Sequence, residues 1–179
     1  MQVSTPAKKG ESRHHDPIPA YEMGSDLRFI TDLGRSLLPM VHPKKVANRI
    51  VDAVVHRVGG VGCVFAAEVP SIGLISSTAS GTAGDVRDLL DRRRLDKWLS
   101  FLPPQAGYVE TDKEEFLIAD TQHIAEYVSP MQFDGQTRGL LAVGFVSENE
   151  IDERRMQTID AAAQMAAMSV NLSAHFEST

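Results

Sequence analysis

Residues 127–145, which read YVSPMQFDGQTRGLLAVGF, constrain the fold of this chain more than any other stretch. Asp134-Gly135 is typical of a tight hairpin turn, because glycine accepts a positive φ without a Cβ clash. Before this turn, one side of a predicted strand carries large apolar side chains (Tyr127, Met131 and Phe133). After it, residues 140–146 are almost continuously apolar, which is typical of a strand buried on both faces. The stretch therefore predicts a hairpin in the core of a small domain that combines a sheet with helices.

Length, charge and cysteine content limit the class of protein. A chain of 179 residues fits one domain. Its net charge of −6 argues against nonspecific nucleic-acid binding, which depends on cationic side chains that neutralise phosphates. Cys63 is the single cysteine, so no internal disulfide can form. There is no apolar signal-peptide core and no run near the roughly 20 apolar residues that cross a bilayer. We expect a cytoplasmic globular protein without nucleic-acid or membrane partners.

The order of predicted elements divides the chain into a disordered tail, residues 1–22, and one domain, residues 25–176. The tail lacks periodicity, and its adjacent histidines are too few ligands for a metal site. The domain begins with two helices, Ser25–Leu38 and one that starts at Pro43 and is closed by Gly59-Gly60. The remaining predicted elements before the hairpin are strands Cys63–Val69 and Ile72–Ser77, a loop over Ser76–Gly84, a helix after Asp85, and strands Gly107–Glu110 and Phe116–Ala119.

The last predicted helix carries two apolar stripes, whereas packing on the sheet requires only one. Ser147 with Glu150, or Asn149 with Asp152, supplies capping chemistry at its start. One apolar stripe suits packing on the sheet, whereas a second stripe requires another partner. The second stripe predicts a homodimer interface, with four candidate residues: Met165, Ser169, Leu172 and Phe176.

The sequence from Glu126 to Ala166, EYVSPMQFDGQTRGLLAVGFVSENEIDERRMQTIDAAAQMA, resembles the closing part of a GAF domain. The resemblance extends over residues 25–176. It implies an α+β, PAS-related fold with an antiparallel sheet of five or six strands and the N- and C-terminal helices on one face. It also implies a small-molecule pocket on the opposite, distal face, with signalling through paired terminal helices.

The resemblance leaves the ligand unidentified, because the markers of its known subtypes are mostly missing. The motif of cyclic-nucleotide-binding members has no counterpart here. Cys63 lies on the first core strand, which does not suit a covalent bilin, and one cysteine cannot complete the disulfide cycle of the sulfoxide reductases of this fold. Haem-binding members use a histidine near the pocket, and His123 has a comparable position.

We therefore expect a non-enzymatic, bacterial-type sensory domain, with no catalytic residues and no metal site, that acts on a downstream signalling protein. Its candidate pocket residues are Trp98, Leu102, Tyr108, His123, Tyr127 and Met131. The alternative is a ligand-free dimerisation module whose pocket is filled by these side chains. A sulfoxide-reductase-like enzyme is the third hypothesis.

Overall fold

A computed structural model describes residues 20–81, 95–97, 100, 107–118 and 123–178. Within these ranges the chain forms an α+β domain with a five-stranded sheet and three long helices. In chain order the elements are α1 (Ala20–Leu37), α2 (Pro43–Val58), β1 (Gly62–Val69), β2 (Gly73–Ser80), β3 (Tyr108–Glu110), a 3-10 helix (Lys113–Glu115), β4 (Ala125–Phe133), β5 (Gln136–Phe145), a 3-10 helix (Glu148–Glu150) and α3 (Glu153–Ser178).

The sheet is antiparallel, with the strand order β2-β1-β5-β4-β3. The strongly apolar β5 lies at its centre, as its composition predicted. Asp134 and Gly135 close the β4–β5 hairpin with φ values of 53° and 76°, so both take the left-handed conformation that a tight hairpin turn requires. The predicted fold class is confirmed, with five strands in the described part of the chain.

Strand alternation gives the sheet two different faces. On the helical face, a large cluster joins side chains of β1, β4 and β5 to α2 and α3, with Phe65, Leu141 and Phe145 fully buried. Cys63 lies in this cluster and is also buried. On the distal face, a smaller cluster joins sheet residues such as Val64 and Leu140 to residues outside the sheet, namely Leu95, Leu117 and Ile118.

Helix α1 packs against α2 and α3 and is tied to both by one carboxylate. Asp26 accepts a hydrogen bond of 2.7 Å from Nη2 of Arg57 on α2, and bonds of 2.8 and 3.2 Å from Nε and Nη2 of Arg154 on α3. Burial opposes ionisation of Asp26, but these bonds and the two positive charges hold its pKa below the usual value. The cluster therefore links the N-terminal helix to the C-terminal one.

Three predicted boundaries are wrong. Helix α1 starts at Ala20, five residues before Ser25, whose hydroxyl accepts a hydrogen bond from Arg57 instead of capping the helix. Strand β2 continues to Ser80, although 76–80 was predicted as loop, because backbone pairing with β1 does not require apolar side chains. Helix α3 starts at Glu153, where the carboxylate of Asp152 accepts from the backbone N–H of Arg155. Ser147 caps the preceding 3-10 helix.

The strand predicted at Phe116–Ala119 is also absent within its described part, Phe116–Ile118. This segment follows the 3-10 helix and does not adopt strand conformation. The backbone N–H groups of Leu117 and Ile118 donate to the carboxylate of Glu126. A side chain thus replaces the neighbouring strand, and the segment covers the distal face as an irregular stretch. The helix predicted after Asp85 lies mostly outside the described residues, although Leu95–Lys97 and Ser100 are helical.

Candidate functional site on the distal face

The register of the sheet creates space above its centre on the distal face. Glu126 on β4 pairs with Gly144 on β5, which pairs with Gly62 on β1. Directly paired residues of antiparallel strands share a face, so a carboxylate stands beside two residues without side chains. The imidazole of His123 and the side chain of Ile118 fill this space: a Cβ on Gly144 would lie 3.0 Å from Cδ2 of His123 and 3.3 Å from Cδ1 of Ile118.

Glu126 is a fully buried acid, and its two oxygens have defined partners. The backbone N–H of Leu117 donates to Oε1 at 3.0 Å and that of Ile118 donates to Oε2 at 3.3 Å. Nε2 of His123 lies 3.1 Å from Oε2. Burial raises the pKa of Glu126 because it penalises the ionised form, and the hydrogen bonds and His123 oppose this rise only in part. Protonation of the Glu126 carboxylate is therefore easier than protonation of an exposed glutamate.

His123 is fully buried as well, and only one of its nitrogens has a partner in the described part of the chain. Its ring stacks on Phe116 with 4.6 Å between centroids. Nε2 faces Glu126, whereas Nδ1 has no hydrogen-bond partner. Leaving a buried polar atom unpaired costs about 1–3 kcal/mol, which makes such atoms rare. The atom is a polar handle at a site whose other walls are mostly apolar.

Tyr108 adds a second polar group to this face. It pairs with Val128 across β3 and β4 and packs against the distal cluster. Burial, together with the negative charges of Glu110, Glu115 and Glu126, raises its pKa, so its hydroxyl remains protonated. The distal face thus combines an apolar floor with a histidine, an acid and a phenol, the composition expected of a small-molecule site.

Comparison with solved structures identifies this architecture. A GAF domain assigned to a sensor histidine kinase of Pseudomonas syringae pv. tomato superposes with a TM-score of 0.62 at 13% identity, over 88% of this chain and 93% of that one. The chain has a GAF-like fold. A free methionine-R-sulfoxide reductase from Neisseria meningitidis, solved with its substrate, gives a TM-score of 0.59 at 11% identity, over 84% and 90% of the two chains. A bacteriophytochrome from R. palustris gives 0.62 at 9% identity over 86% of this chain, which spans 39% of that protein. No family model and no curated protein matches the sequence.

The GAF-like fold places the six predicted pocket residues in three different surroundings. Tyr108 and His123 lie on the distal face, as expected. Tyr127 and Met131 were predicted there but lie on the helical face, where they join the large cluster. The error follows from strand alternation, because residues of odd number on β4 face the helices up to Met131. Trp98 and Leu102 lie outside the described residues.

Glu126 is the site residue that sequence reasoning missed. An acid in the apolar stretch 124–128, three residues after a histidine, was the available signal. Alternation also places it on the face opposite Tyr127.

The surroundings of His123 do not fit a haem ligand. The ring is fully buried between Phe116 and Gly144, and the carboxylate of Glu126 already engages Nε2. Within the described ranges, no three His, Cys, Asp or Glu side chains are grouped to hold a metal ion. No helix in this part of the chain is long and apolar enough to cross a membrane.

The candidate dimer residues on α3 differ in exposure. Met165 is partly buried against α1, since a Cβ on Gly34 would lie 3.3 Å from its terminal methyl carbon. Ser169 is half-buried, whereas Leu172 and Phe176 are 51% and 63% exposed. Met168, which was not predicted, is 74% exposed and lies one helical turn before Leu172. The exposed apolar stripe of α3 is therefore Met168, Leu172 and Phe176.

Proposed function

We propose that this GAF-like domain is a sensory or regulatory module that binds a small molecule on its distal face. The observation that carries this proposal is the buried Nδ1 of His123, which has no hydrogen-bond partner among the described residues. A ligand atom would complete its hydrogen bonding. The fold neighbours support the same class of function, since their names include a sensor histidine kinase and a bacteriophytochrome.

The His123–Glu126 pair determines which ligand atom can bind. With the carboxylate ionised, Nε2 carries the hydrogen and Nδ1 of the neutral ring accepts a hydrogen bond from a ligand N–H or O–H. With the proton on the carboxyl group, the roles reverse and Nδ1 donates. The site would thus suit a polar ring or amide-like group that stacks near Phe116 and makes one hydrogen bond to His123.

We further propose that the domain forms a homodimer through α3 and passes its signal to a downstream protein through α1 and α3. The exposed stripe of Met168, Leu172 and Phe176 supports this, because these residues lie four apart on one side of the helix. The salt-bridged Asp26 links α1 to the same helix.

A ligand-free interaction module is the second candidate function. It is favoured by the complete burial of Leu95, Leu117 and Ile118, which fill part of the distal face. An enzymatic function is less well supported. Cys63 faces the helices in the buried cluster, and burial strongly raises the pKa of its thiol, which disfavours the reactive thiolate.

A thermal screen of nucleotides, amino acids, purines and tetrapyrroles tests the sensor proposal. A ligand present at 100 times its dissociation constant stabilises the fold by about 2.7 kcal/mol, which raises the melting temperature by roughly 5–10 °C. We expect this shift in the wild type and in His56→Gln, an exposed histidine on α2, but not in His123→Gln. A hit that stabilises His123→Gln equally would place the ligand elsewhere. No hit in the whole panel would favour the interaction module.

A further inference from the structure

A second cleft lies on the opposite side of the sheet, between β4 and α3. Its volume is about 480 Å³, within the range of roughly 300–1,000 Å³ that small-molecule sites have. Its polar lining comes from Ser129 and Gln132 on β4 and from Asp160 and Gln164 on α3. Gly107 and Met168 also line the cleft.

The carboxylate of Asp160 is held in place by two neutral donors. The hydroxyl of Ser129 donates to Oδ1 at 2.7 Å, and the hydroxyl of Tyr127 lies 2.9 and 3.0 Å from the two oxygens. Burial of Tyr127, and the charge of Asp160 beside it, raise the pKa of the phenol, so the hydroxyl stays protonated and donates. Gly107 lies close to the Tyr127 hydroxyl, since a Cβ on Gly107 would lie 2.2 Å from the Tyr127 oxygen.

Asp160 has no cationic partner in the described part of the chain. The arginine and lysine ion pairs of this part of the chain include those of Asp26, Glu115 and Asp152, and none of them involves Asp160. The wall of the cleft thus carries a fixed negative charge that hydroxyl groups orient but do not neutralise. Such a charge favours a cationic ligand.

We propose that this cleft binds a small molecule with a protonated primary amine, which pairs with Asp160 and lays its hydrocarbon part against Ala167 and Met168. An ammonium group makes one compact contact, whereas a guanidinium group uses both carboxylate oxygens side by side. Because Tyr127 and Ser129 already occupy both oxygens, the ammonium group fits better. Met168 lines this cleft and also belongs to the exposed stripe of α3, so the ligand and the second protomer of the proposed dimer would share its flexible side chain.

Isothermal titration of the full chain with phenethylamine and 3-methylbutylamine tests this proposal. Their neutral analogues, 2-phenylethanol and 3-methylbutanol, keep the hydrocarbon and remove the charge. We expect both amines to bind at least tenfold more tightly than the alcohols. Asp160→Asn, which keeps the size and an acceptor oxygen, should weaken amine binding at least tenfold. The matched control is Asp32→Asn, which removes an exposed acid from the groove between α1 and α2 and should bind as the wild type does.

Several results would overturn the proposal: equal binding of amines and alcohols, unchanged binding by Asp160→Asn, an equal loss in Asp32→Asn, or no amine binding by the wild type. If Asp160→Asn does not fold, amide chemical shifts of the wild type decide. Phenethylamine should then shift Gly107 and Met168, and shifts confined to other residues would refute the site. His123→Gln should bind the amine normally, so failure of the distal site does not affect this test.

Discussion

Replacing Glu126 with alanine would remove the side chain that holds segment 116–118 on the distal face. The backbone N–H groups of Leu117 and Ile118 would lose their acceptor, as would Nε2 of His123. Each buried donor left unpaired costs about 1–3 kcal/mol of folding stability. Loss of the long, 3.3 Å hydrogen bond from Ile118 should cost an amount near the lower limit of this range. The variant no longer buries a carboxylate, and this gain offsets part of the lost stability. We expect Glu126→Ala to lower the free energy of unfolding by about 2–4 kcal/mol, or roughly 5–15 °C in melting temperature.

Glu126→Gln separates the hydrogen bonds from the charge. Its amide oxygen can still accept from Leu117, while its NH₂ group cannot accept from Ile118. Glu126→Gln should therefore lower the free energy of unfolding by about half as much as Glu126→Ala, or roughly 1–2 kcal/mol. Glu114→Ala is the matched control, because Glu114 is exposed in the neighbouring 3-10 helix and should change stability by less than about 0.5 kcal/mol. Urea unfolding followed by circular dichroism measures all three variants.

Amide hydrogen exchange shows whether Glu126→Ala destabilises only segment 116–118. The amides of Leu117 and Ile118 should be protected in the wild type and exchange faster in Glu126→Ala, while core amides such as that of Leu141 keep their order of protection. The reasoning fails if Glu126→Ala unfolds at the same urea concentration as Glu114→Ala. It also fails if protection of Leu117 and Ile118 is unchanged.

Three further predictions concern the helices and the thiol. The pKa of Asp26 is lower in the folded state than in the unfolded state. Ionised Asp26 therefore stabilises the fold above the unfolded pKa of 3.8, and this stabilisation is lost as the pH falls through the lower pKa of the folded state. Asp26→Asn should thus lower the free energy of unfolding by about 1 kcal/mol at pH 7. Below pH 4 the unfolding curves of the variant and the wild type should approach each other. A difference that persists at low pH would contradict this reasoning. Met168→Glu with Leu172→Glu should convert a dimer to a folded monomer in light scattering, whereas a wild type that is monomeric at high micromolar concentration would refute the interface. Cys63 should react slowly with thiol reagents until the protein unfolds, and Cys63→Ala should cost about 1 kcal/mol; fast native labelling, or reduction of free methionine sulfoxide that depends on Cys63, would support an enzyme.

Local sequence patterns predicted the elements whose formation depends on local contacts. Helix α2 was predicted with its observed limits, because Pro43 favours its start, Gly59 takes the left-handed conformation after its end and its apolar residues follow a helical period. The Asp134-Gly135 turn was predicted because a tight hairpin turn requires positive φ values, which this dipeptide tolerates better than most. In both cases a few neighbouring residues determine the backbone.

The errors arose where contacts distant in sequence decide the outcome. Alternation indicates that Glu126 and Tyr127 face opposite sides of β4, but it does not indicate which side the helices cover. The path of Phe116–Ile118 depends on a carboxylate eight or nine residues away, which apolar composition alone does not reveal. The carboxylate of Asp160 meets Tyr127 across 33 residues of sequence, so the cleft on the helical face had no local signal.

Strand β4 connects both candidate sites because its polar side chains alternate between the faces of the sheet. Glu126 points to the distal face and holds segment 116–118, whereas Tyr127 and Ser129 point to the helical face and hold Asp160 of α3. A shift of one residue in strand register would reverse every one of these side chains, burying Glu126 against the apolar helical cluster. The central pairing with β5 is therefore essential to both sites at once. A polar substitution on β4 should disturb the face to which its residue points, with a smaller effect on the opposite face.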